Sequence, residues 1–362
     1  MRFDTTADVN SHVKNIQKGK MFISPDYHFI FRKEDGFFAR WGKKLSDDPS
    51  FAPAPEILDL EVSAGFCKNN CPFCYKDNSS SKPTENMTFD TFKNIIDKFP
   101  RTLTQVAFGI TGIQTNPDFI KMLAYCRYID VIPNFTLSGI DLTDEIAREV
   151  VKYVGALAVS AYASDKNVCY NTIKKFTDLG LRQTNMHLLL SNETLPFVYE
   201  VLNDIENDPR LKEMNAVVFL SAKPKGRARG RFFPVNDEQY EALVKHCMEN
   251  KIRFGFDSCG APRFEKVIEK LNVTESQMKF MRMCSESCES SCFSSYINVR
   301  GEYWSCSFSE NESSMQAIDV INAEDFVRDV WNHPATLAFR KKLLDTERDG
   351  CRFCPTFPEI NV

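Results

Sequence analysis

From residue 57 to about 250, apolar strand-like runs alternate with amphipathic segments of helical period, six times over. ILDLEVS (57–63), TQVAFGI (104–110), VIPNFTL (131–137), ALAVSAY (156–162), RQTNMHLLLS (182–191) and AVVFLSA (216–222) read as strands. The helical segments are TFDTFKNIIDKF (88–99), PDFIKMLAYCRYI (117–129), LTDEIAREVVKYV (142–154), NVCYNTIKKFTDLG (167–180), TLPFVYEVLNDIE (194–206) and DEQYEALVKHCMENK (237–251). Thr88 or Asp90 suits an N-cap, Pro117 a first helical position and Gly180 a stop. Six strand–helix units in series imply a parallel sheet with right-handed crossovers. They are too few to close an eight-stranded barrel, so the expected class is α/β, an open, partial (β/α)6 barrel. Ligands of such folds lie at the C-terminal ends of the strands.

The flanks differ from this pattern. Residues 1–55 form an N-terminal extension in which HFIF and FFARW flank a turn at Glu34-Asp35-Gly36, a β-hairpin. FAPAPE (51–56) leads into the barrel, which is expected over 56–251. Over 252–362 strands shorten, cysteines multiply and Gly301 turns an apparent hairpin, YINVRGEYWSCSF, which suggests a small α+β domain. Lys plus Arg is 45 against 49 Asp plus Glu, a formal net charge of −4 that argues against a general nucleic-acid coat. No apolar run is long enough to span a bilayer, and the first twenty residues lack the apolar core of a signal peptide, so a soluble cytoplasmic protein without a membrane partner is expected. The 13 cysteines then argue for metal ligation rather than disulfides, because most are clustered.

The first cluster follows the first strand: Gly65-Phe66-Cys67-Lys68-Asn69-Asn70-Cys71-Pro72-Phe73-Cys74-Tyr75. Its C-x3-C-x2-C spacing puts three thiolates on one tight loop, enough for three irons of a cubane 4Fe–4S cluster. The fourth iron would lack a protein ligand, and an open coordination position is where a substrate or cofactor enters. A zinc site would need a fourth ligand from elsewhere, and a redox C-x-x-C reading ignores Cys67.

This loop resembles that of the radical S-adenosylmethionine (SAM) superfamily, down to the aromatic Tyr75 after the third cysteine. The resemblance implies that the open iron chelates SAM, that one electron cleaves the sulfonium, and that the resulting 5′-deoxyadenosyl radical abstracts a hydrogen atom from the substrate. It further implies SAM contacts. Phe108-Gly109-Ile110-Thr111-Gly112-Ile113-Gln114 stands where the family has a Gly-Gly-Glu-Pro-like turn, which makes Gly109, Gly112 and Gln114 candidates, although the acidic residue is absent. Thr136-Leu137-Ser138-Gly139 replaces a frequent Thr-Asn-Gly, and Ser160 matches a polar position near the ribose or carboxylate. Asn185 and Ser191, on and at the end of the fifth strand, complete the candidate SAM-binding set. His187 on the same strand reads more readily as a satisfied core residue.

Seven cysteines occur late. Cys288-x17-Cys306-x44-Cys351-x2-Cys354 resembles the twitch domain, the shortened form of the SPASM extension that follows radical SAM barrels, and implies one auxiliary 4Fe–4S cluster. Cys259 could replace one member of the terminal pair, Cys284 and Cys292 are further alternates, and a zinc knuckle stays open. Cys126, Cys169 and Cys247 fall in helices as small buried hydrophobes.

After the sixth strand, Lys223, Lys225, Arg227, Arg229 and Arg231 crowd into nine residues, either a clamp for an anion or a solvated loop. Asp257 and Glu289 are carboxylates without special spacing, and no catalytic base stands out. The resemblance implies an enzyme acting on a peptide or protein side chain by crosslinking, oxidation or epimerisation. The alternative is a dehydrogenase or isomerase of a phosphorylated, nucleotide-linked or other small metabolite. Flavodoxin or ferredoxin would supply the electron. A metal-stabilised binding protein is the non-enzymatic alternative.

Overall fold

The N-terminal extension holds more than a hairpin. The computed structural model describes residues 3–361 apart from 314 and 349. A short helix, Thr6–Ser11, opens with a capping box between Thr5 and Asp8. Four strands follow: β1 (Val13–Ile16), β2 (Gly19–Ile23), β3 (His28–Arg32) and β4 (Phe38–Trp41), an antiparallel sheet in sequential order. The expected hairpin is β3–β4. Strands β1 and β2 escaped the sequence reading because VKNI and GKMFI carry lysines and little alternation. Lys20, though buried, donates to the Leu103 carbonyl at 2.7 Å. Phe22, Phe29 and Phe31 are fully buried and share a small core with Cys292, Phe293, Phe339 and Leu343 from the far end of the chain.

A buried charge cluster fastens this sheet to that C-terminal segment. The Arg40 guanidinium donates to Glu289 at 2.8 Å, lies 3.5 Å from Glu56 and stacks 3.8 Å over Phe293. Burial pushes the Glu56 carboxyl up to about 8, and Tyr27 donates its hydroxyl to it. Removing one partner of a buried pair leaves an uncompensated charge. Arg40→Ala is therefore expected to destabilise the fold by ~3–5 kcal/mol in denaturant titration, with part recovered in Arg40→Ala/Glu289→Gln, since Glu289 is the carboxylate Arg40 donates to. A loss within the error of the wild-type value would show that the cluster fastens nothing.

The first expected barrel strand splits into β5 (Ile57–Glu61) and β6 (Ser63–Gly65). Strand β6 leaves the main sheet to pair with β7 (Thr84–Asn86), and this small ribbon holds the ends of the cysteine loop. The remaining strands are β8 (Gln105–Gly109), β9 (Ile132–Leu137), β10 (Leu157–Ser160), β11 (Thr184–Leu190) and β12 (Val217–Ser221). Strands β5, β8, β9, β10, β11 and β12 lie side by side and parallel in chain order, the expected α/β architecture. Along β11, Thr184, Met186, Leu188 and Leu190 are buried while Asn185, His187 and Leu189 face the other way. The sheet curls enough that His187 of β11 lies 3.5 Å from Thr136 of β9, across the intervening β10. The less buried face is thus the inside of the barrel.

The helices sit where the period placed them. Thr88, Thr143, Asp165 and Asn236 each accept a backbone N–H as the N-cap of the helices Phe89–Ile96, Asp144–Val150, Lys166–Asp178 and Asp237–Glu249. Gly180, at φ +87°, ends Lys166–Asp178 in a Schellman turn: Leu181 N–H donates to Phe176 O and Gly180 N–H to Thr177 O. Pro117 is not the first helical residue. The helix is Phe119–Tyr128, with Asp118 at its cap position and its carboxylate accepting from the Phe89 N–H at 3.1 Å. That bond links two helices, which local sequence does not reveal.

The parallel series continues past the sixth strand. The seventh, β13 (Phe254–Phe256), is three residues long and centred on Gly255, too short and too weak for the pattern to show. Helices Ala261–Ile268 and Glu275–Met283 follow. The Gly301 hairpin then forms as β14 (Ser294–Ile297) and β15 (Glu302–Trp304), with β16 (Ile318–Asp319) beside it. Strand β14 runs parallel to β5, Ser294 opposite Ile57 and Ile297 opposite Leu60. One ten-stranded sheet therefore reaches from β13 through the barrel to β16. Among the described residues no helix is long and apolar enough to cross a membrane.

Candidate active site

The cysteine loop is fixed by its own backbone. Cys67 N–H donates to Ser79 O at 3.0 Å, Ser79 N–H to Gly65 O at 2.9 Å and Cys74 N–H to Cys71 O at 3.2 Å. The Asn78 side chain accepts from Gly65 N–H at 2.9 Å. Three thiols converge on this frame. The Cys71 thiol is pushed up to about 11 by burial, with the Cys67 and Cys74 thiolates adding to the shift and a hydrogen bond from Tyr162 opposing it. Ser160 donates in turn to the Tyr162 phenol, whose pKa burial holds well above its ordinary value. Phe73 stacks on Tyr162 at 6.0 Å and meets Phe232 edge-on at 5.5 Å.

The basic loop after β12 is neither a free clamp nor a solvated run. Arg227 donates twice to Cys71 O, at 2.9 and 2.7 Å, once to Asn78 O at 2.7 Å and once to Asp77 at 3.1 Å. Its own N–H donates to Cys74 O at 3.0 Å. Gly226 sits at φ +57°, and a Cβ there would lie 2.4 Å from Cys74 O, so only glycine lets the two loops approach this closely. Lys225 donates to Phe308 O at 2.8 Å and to Glu310 O, and Arg229 pairs with Glu312. The loop after the sixth strand thus binds the loop after the first. Without the fork of Arg227, two carbonyls lose their donors, each at ~1–3 kcal/mol. Arg227→Ala is expected to lower the melting temperature and to lose iron from the first loop on reconstitution, and lysine cannot restore it for want of a planar fork. Full iron content in the alanine variant would show that the loop holds its shape unaided.

The candidate SAM contacts fall into separate places. Gly112, Gln114 and Ser138 line one cleft of about 350 Å³ together with Phe66, Lys68 and Asn69 of the cysteine loop. Cys67 reaches toward it, its Sγ 3.9 Å from Thr111 O. Gly109 ends β8 opposite Glu61, packed against that residue's Cα. Ser160 ends β10 and joins the site through Tyr162. Asn185 is not brought to the cysteine loop: it lies near the entry end of β11, where its side-chain oxygen accepts from Asn215 at 2.8 Å. Its strand is legible in the sequence, but its level along it is not. Ser191 is fully buried and caps the turn into Leu195–Asn207, with Thr194 N–H donating to its Oγ at 3.2 Å. His187 is pushed down to about 4 by burial, so it is neutral at neutral pH.

The late cysteines regroup. The Cys259 thiol is held well above its ordinary pKa by burial, and the charges that face it are Lys223, Asp257, Cys288 and Cys354. Cys288, pushed up to about 12 by burial, faces Cys306 and Cys354. Cys354, raised by burial, faces Cys306 and Lys223. Cys259, one of the alternates, thus lies with Cys288, Cys306 and Cys354 in one set of facing thiols. Cys351, raised by burial to about 11, faces Glu265, Arg352, Glu347 and Arg282 instead. The Cys351-x2-Cys354 spacing does not make both members point one way. Cys292 is buried in the N-terminal core beside Arg352 and Arg340, and Cys284 is exposed at the end of Glu275–Met283. Cys126, Cys169 and Cys247 are buried in helices as expected.

Tyr75 spans the two thiol sets. It follows Cys74, hydrogen-bonds to Ser307 and packs its ring 4.5 Å from Phe308, just past Cys306. Beside it Glu61, Lys76, Glu310 and Tyr296 form a buried network, Lys76 lying 3.0 Å from Glu61 and Tyr296 donating to Glu310 at 3.0 Å. A cleft of about 550 Å³ opens here, lined by Lys82, Glu85, Arg229 and Arg300 among others. Among the described residues no three His, Cys, Asp or Glu side chains stand close enough to share one metal ion. A cubane takes each thiolate at a different corner, so a wider spacing suits it. Trp304, two residues before Cys306, keeps its buried indole N–H without a protein acceptor, a donor free for a group in that space.

No protein-family model matches the chain, and no curated protein matches it. Solved structures do. Streptococcus suis SuiB bound to the precursor peptide SuiA superposes with a TM-score of 0.65 at 11% identity, over 94% of each chain. SuiB bound to S-adenosylmethionine gives 0.65 at 9% identity, over 96% of this chain and 94% of that one. Native anSMEcpe with bound AdoMet and Cp18Cys peptide gives 0.58 at 11% identity, over 84% and 88%. At such identities the likeness is one of architecture, and it spans nearly the whole molecule: this chain has the fold of SuiB and anSMEcpe, the partial-barrel α/β fold that its six strand–helix units led one to expect.

Proposed function

We propose that this protein is a radical SAM enzyme that modifies a peptide or protein side chain. The observation that carries the proposal is the convergence of Cys67, Cys71 and Cys74 at the C-terminal mouth of the barrel, with a second four-thiol set across Tyr75. Cys67, Cys71 and Cys74 would hold a 4Fe–4S cluster with one corner free of protein ligands. With SAM at that corner, the reduced cluster would supply the electron for splitting the sulfonium into methionine and a 5′-deoxyadenosyl radical. The chain's own residues fix the geometry. Tyr162 donates to Cys71, Arg227 locks the loop carbonyls, and the cleft at Gly112, Gln114 and Ser138 offers room for SAM beside Cys67. Cys259, Cys288, Cys306 and Cys354 would hold one auxiliary 4Fe–4S cluster. A low-potential flavodoxin or ferredoxin is the electron source this chemistry calls for.

A peptide substrate is supported by two things. The solved structures of SuiB and anSMEcpe each include one with a bound peptide. The cleft beside Tyr75 is open and lined by both signs of charge, which suits a polar chain better than a small apolar molecule. The test is anaerobic reconstitution, reduction with dithionite and addition of SAM. About eight irons per chain and release of 5′-deoxyadenosine are expected. No 5′-deoxyadenosine from fully reconstituted protein would end the proposal and leave a metal-stabilised binding protein.

A further inference from the structure

One buried cation stands between the barrel mouth and the second thiol set. Lys223 follows β12 and is 5% exposed. Its ammonium pairs with Asp257 and lies 4.5 Å over the Phe308 ring. Asp257 is itself held by Ser221 N–H at 3.1 Å, Ser221 Oγ at 2.9 Å and Gly260 N–H at 3.1 Å, so the lysine is aimed by a rigid acceptor. Its charge reaches Cys259, Cys306 and Cys354, three of the four thiols. Three other cations of the same loop are engaged elsewhere: Lys225 on carbonyls, Arg227 on the first cysteine loop, Arg229 on Glu312; Arg231 is exposed.

Resting on the auxiliary-cluster reading above, we infer that Lys223 is a positioning charge that raises the reduction potential of the cluster held by Cys259, Cys288, Cys306 and Cys354. A four-thiolate cubane gains one negative charge on reduction, and a fixed cation in a poorly screened interior favours the more negative state. Removing the ammonium also leaves the Asp257 carboxylate uncompensated beside the site, which pushes in the same direction. The lysine therefore sets how readily this site takes an electron, without ligating iron.

The test uses the full-length chain with Cys67, Cys71 and Cys74 replaced by alanine, so that only the auxiliary cluster contributes. It is reconstituted with iron and sulfide and titrated redox-potentiometrically under EPR. Lys223→Met is expected to hold about four irons, as its parent does, and to be at least tenfold harder to reduce, about 59 mV for one electron. Lys223→Arg is expected to restore the parent's potential. Equal potentials at equal iron content would overturn the inference and leave the cluster reading intact. Iron loss in Lys223→Met moves the measurement to Lys223→Gln, and loss in both overturns the inference, because the lysine would then build the site rather than tune it. A parent chain that binds no cluster overturns the auxiliary-cluster reading itself.

Discussion

Cys71→Ala is expected to abolish release of 5′-deoxyadenosine and to cut iron from about eight to about four per chain. Cys71 is the centre of the first thiol set. Its thiol receives the Tyr162 hydrogen bond and faces both Cys67 and Cys74, and its carbonyl is where Arg227 grips the loop. Alanine keeps that backbone grip, since Arg227 bonds the carbonyl and not the side chain. The variant's cluster-free chain should therefore fold and melt like the cluster-free wild type, while lacking one of the three thiolate ligands. Cubane assembly on two thiolates is weak, so the loss is of the whole cluster rather than of a fraction. Retained cleavage in Cys71→Ala would mean that the chemistry resides on another loop.

The second large effect separates two neighbouring cysteines. Cys259→Ala is expected to lose the auxiliary cluster, about four irons, while Cys351→Ala keeps all of about eight. The spacing of the sequence favours the opposite outcome, because Cys351-x2-Cys354 has the look of a ligand pair. In the fold, Cys259 follows the short strand β13 and faces Cys288 and Cys354, whereas Cys351 faces Glu265, Arg282, Glu347 and Arg352. Iron analysis together with the EPR signal of the auxiliary cluster checks both variants. Equal iron loss in the two would return Cys351 to the ligand set.

These two cases mark how far the sequence carries. Three cysteines within eight residues converge because the chain between them is too short to let them part, so the first set was legible from spacing alone. The second set draws on residues from 259 to 354, and which thiols meet depends on the β13 turn and the β14–β15 hairpin closing together. The six barrel strands were legible because each is a run of apolar residues between turn signals; β13, three residues around a glycine, was not. The basic loop shows the limit most clearly. Its charge count left a clamp for an anion or a solvated loop, but a guanidinium serves equally well to bind backbone carbonyls, and Arg227 binds those of Cys71 and Asn78. Asn185 was placed on the fifth strand, while its depth along the barrel follows from the register with β10, where it stands opposite Ala158.

The pairing of β14 with β5 has a practical corollary for anyone dissecting this molecule. A fragment ending at residue 251 would present the raw edge of β5, a row of unmet amide and carbonyl groups on an apolar strand, and such edges invite aggregation. Its complement would carry a hairpin deprived of the strand it leans on. Expression of either half is expected to give insoluble material, recoverable when both are co-produced, so swapping catalytic modules between such proteins should carry the hairpin along with the barrel.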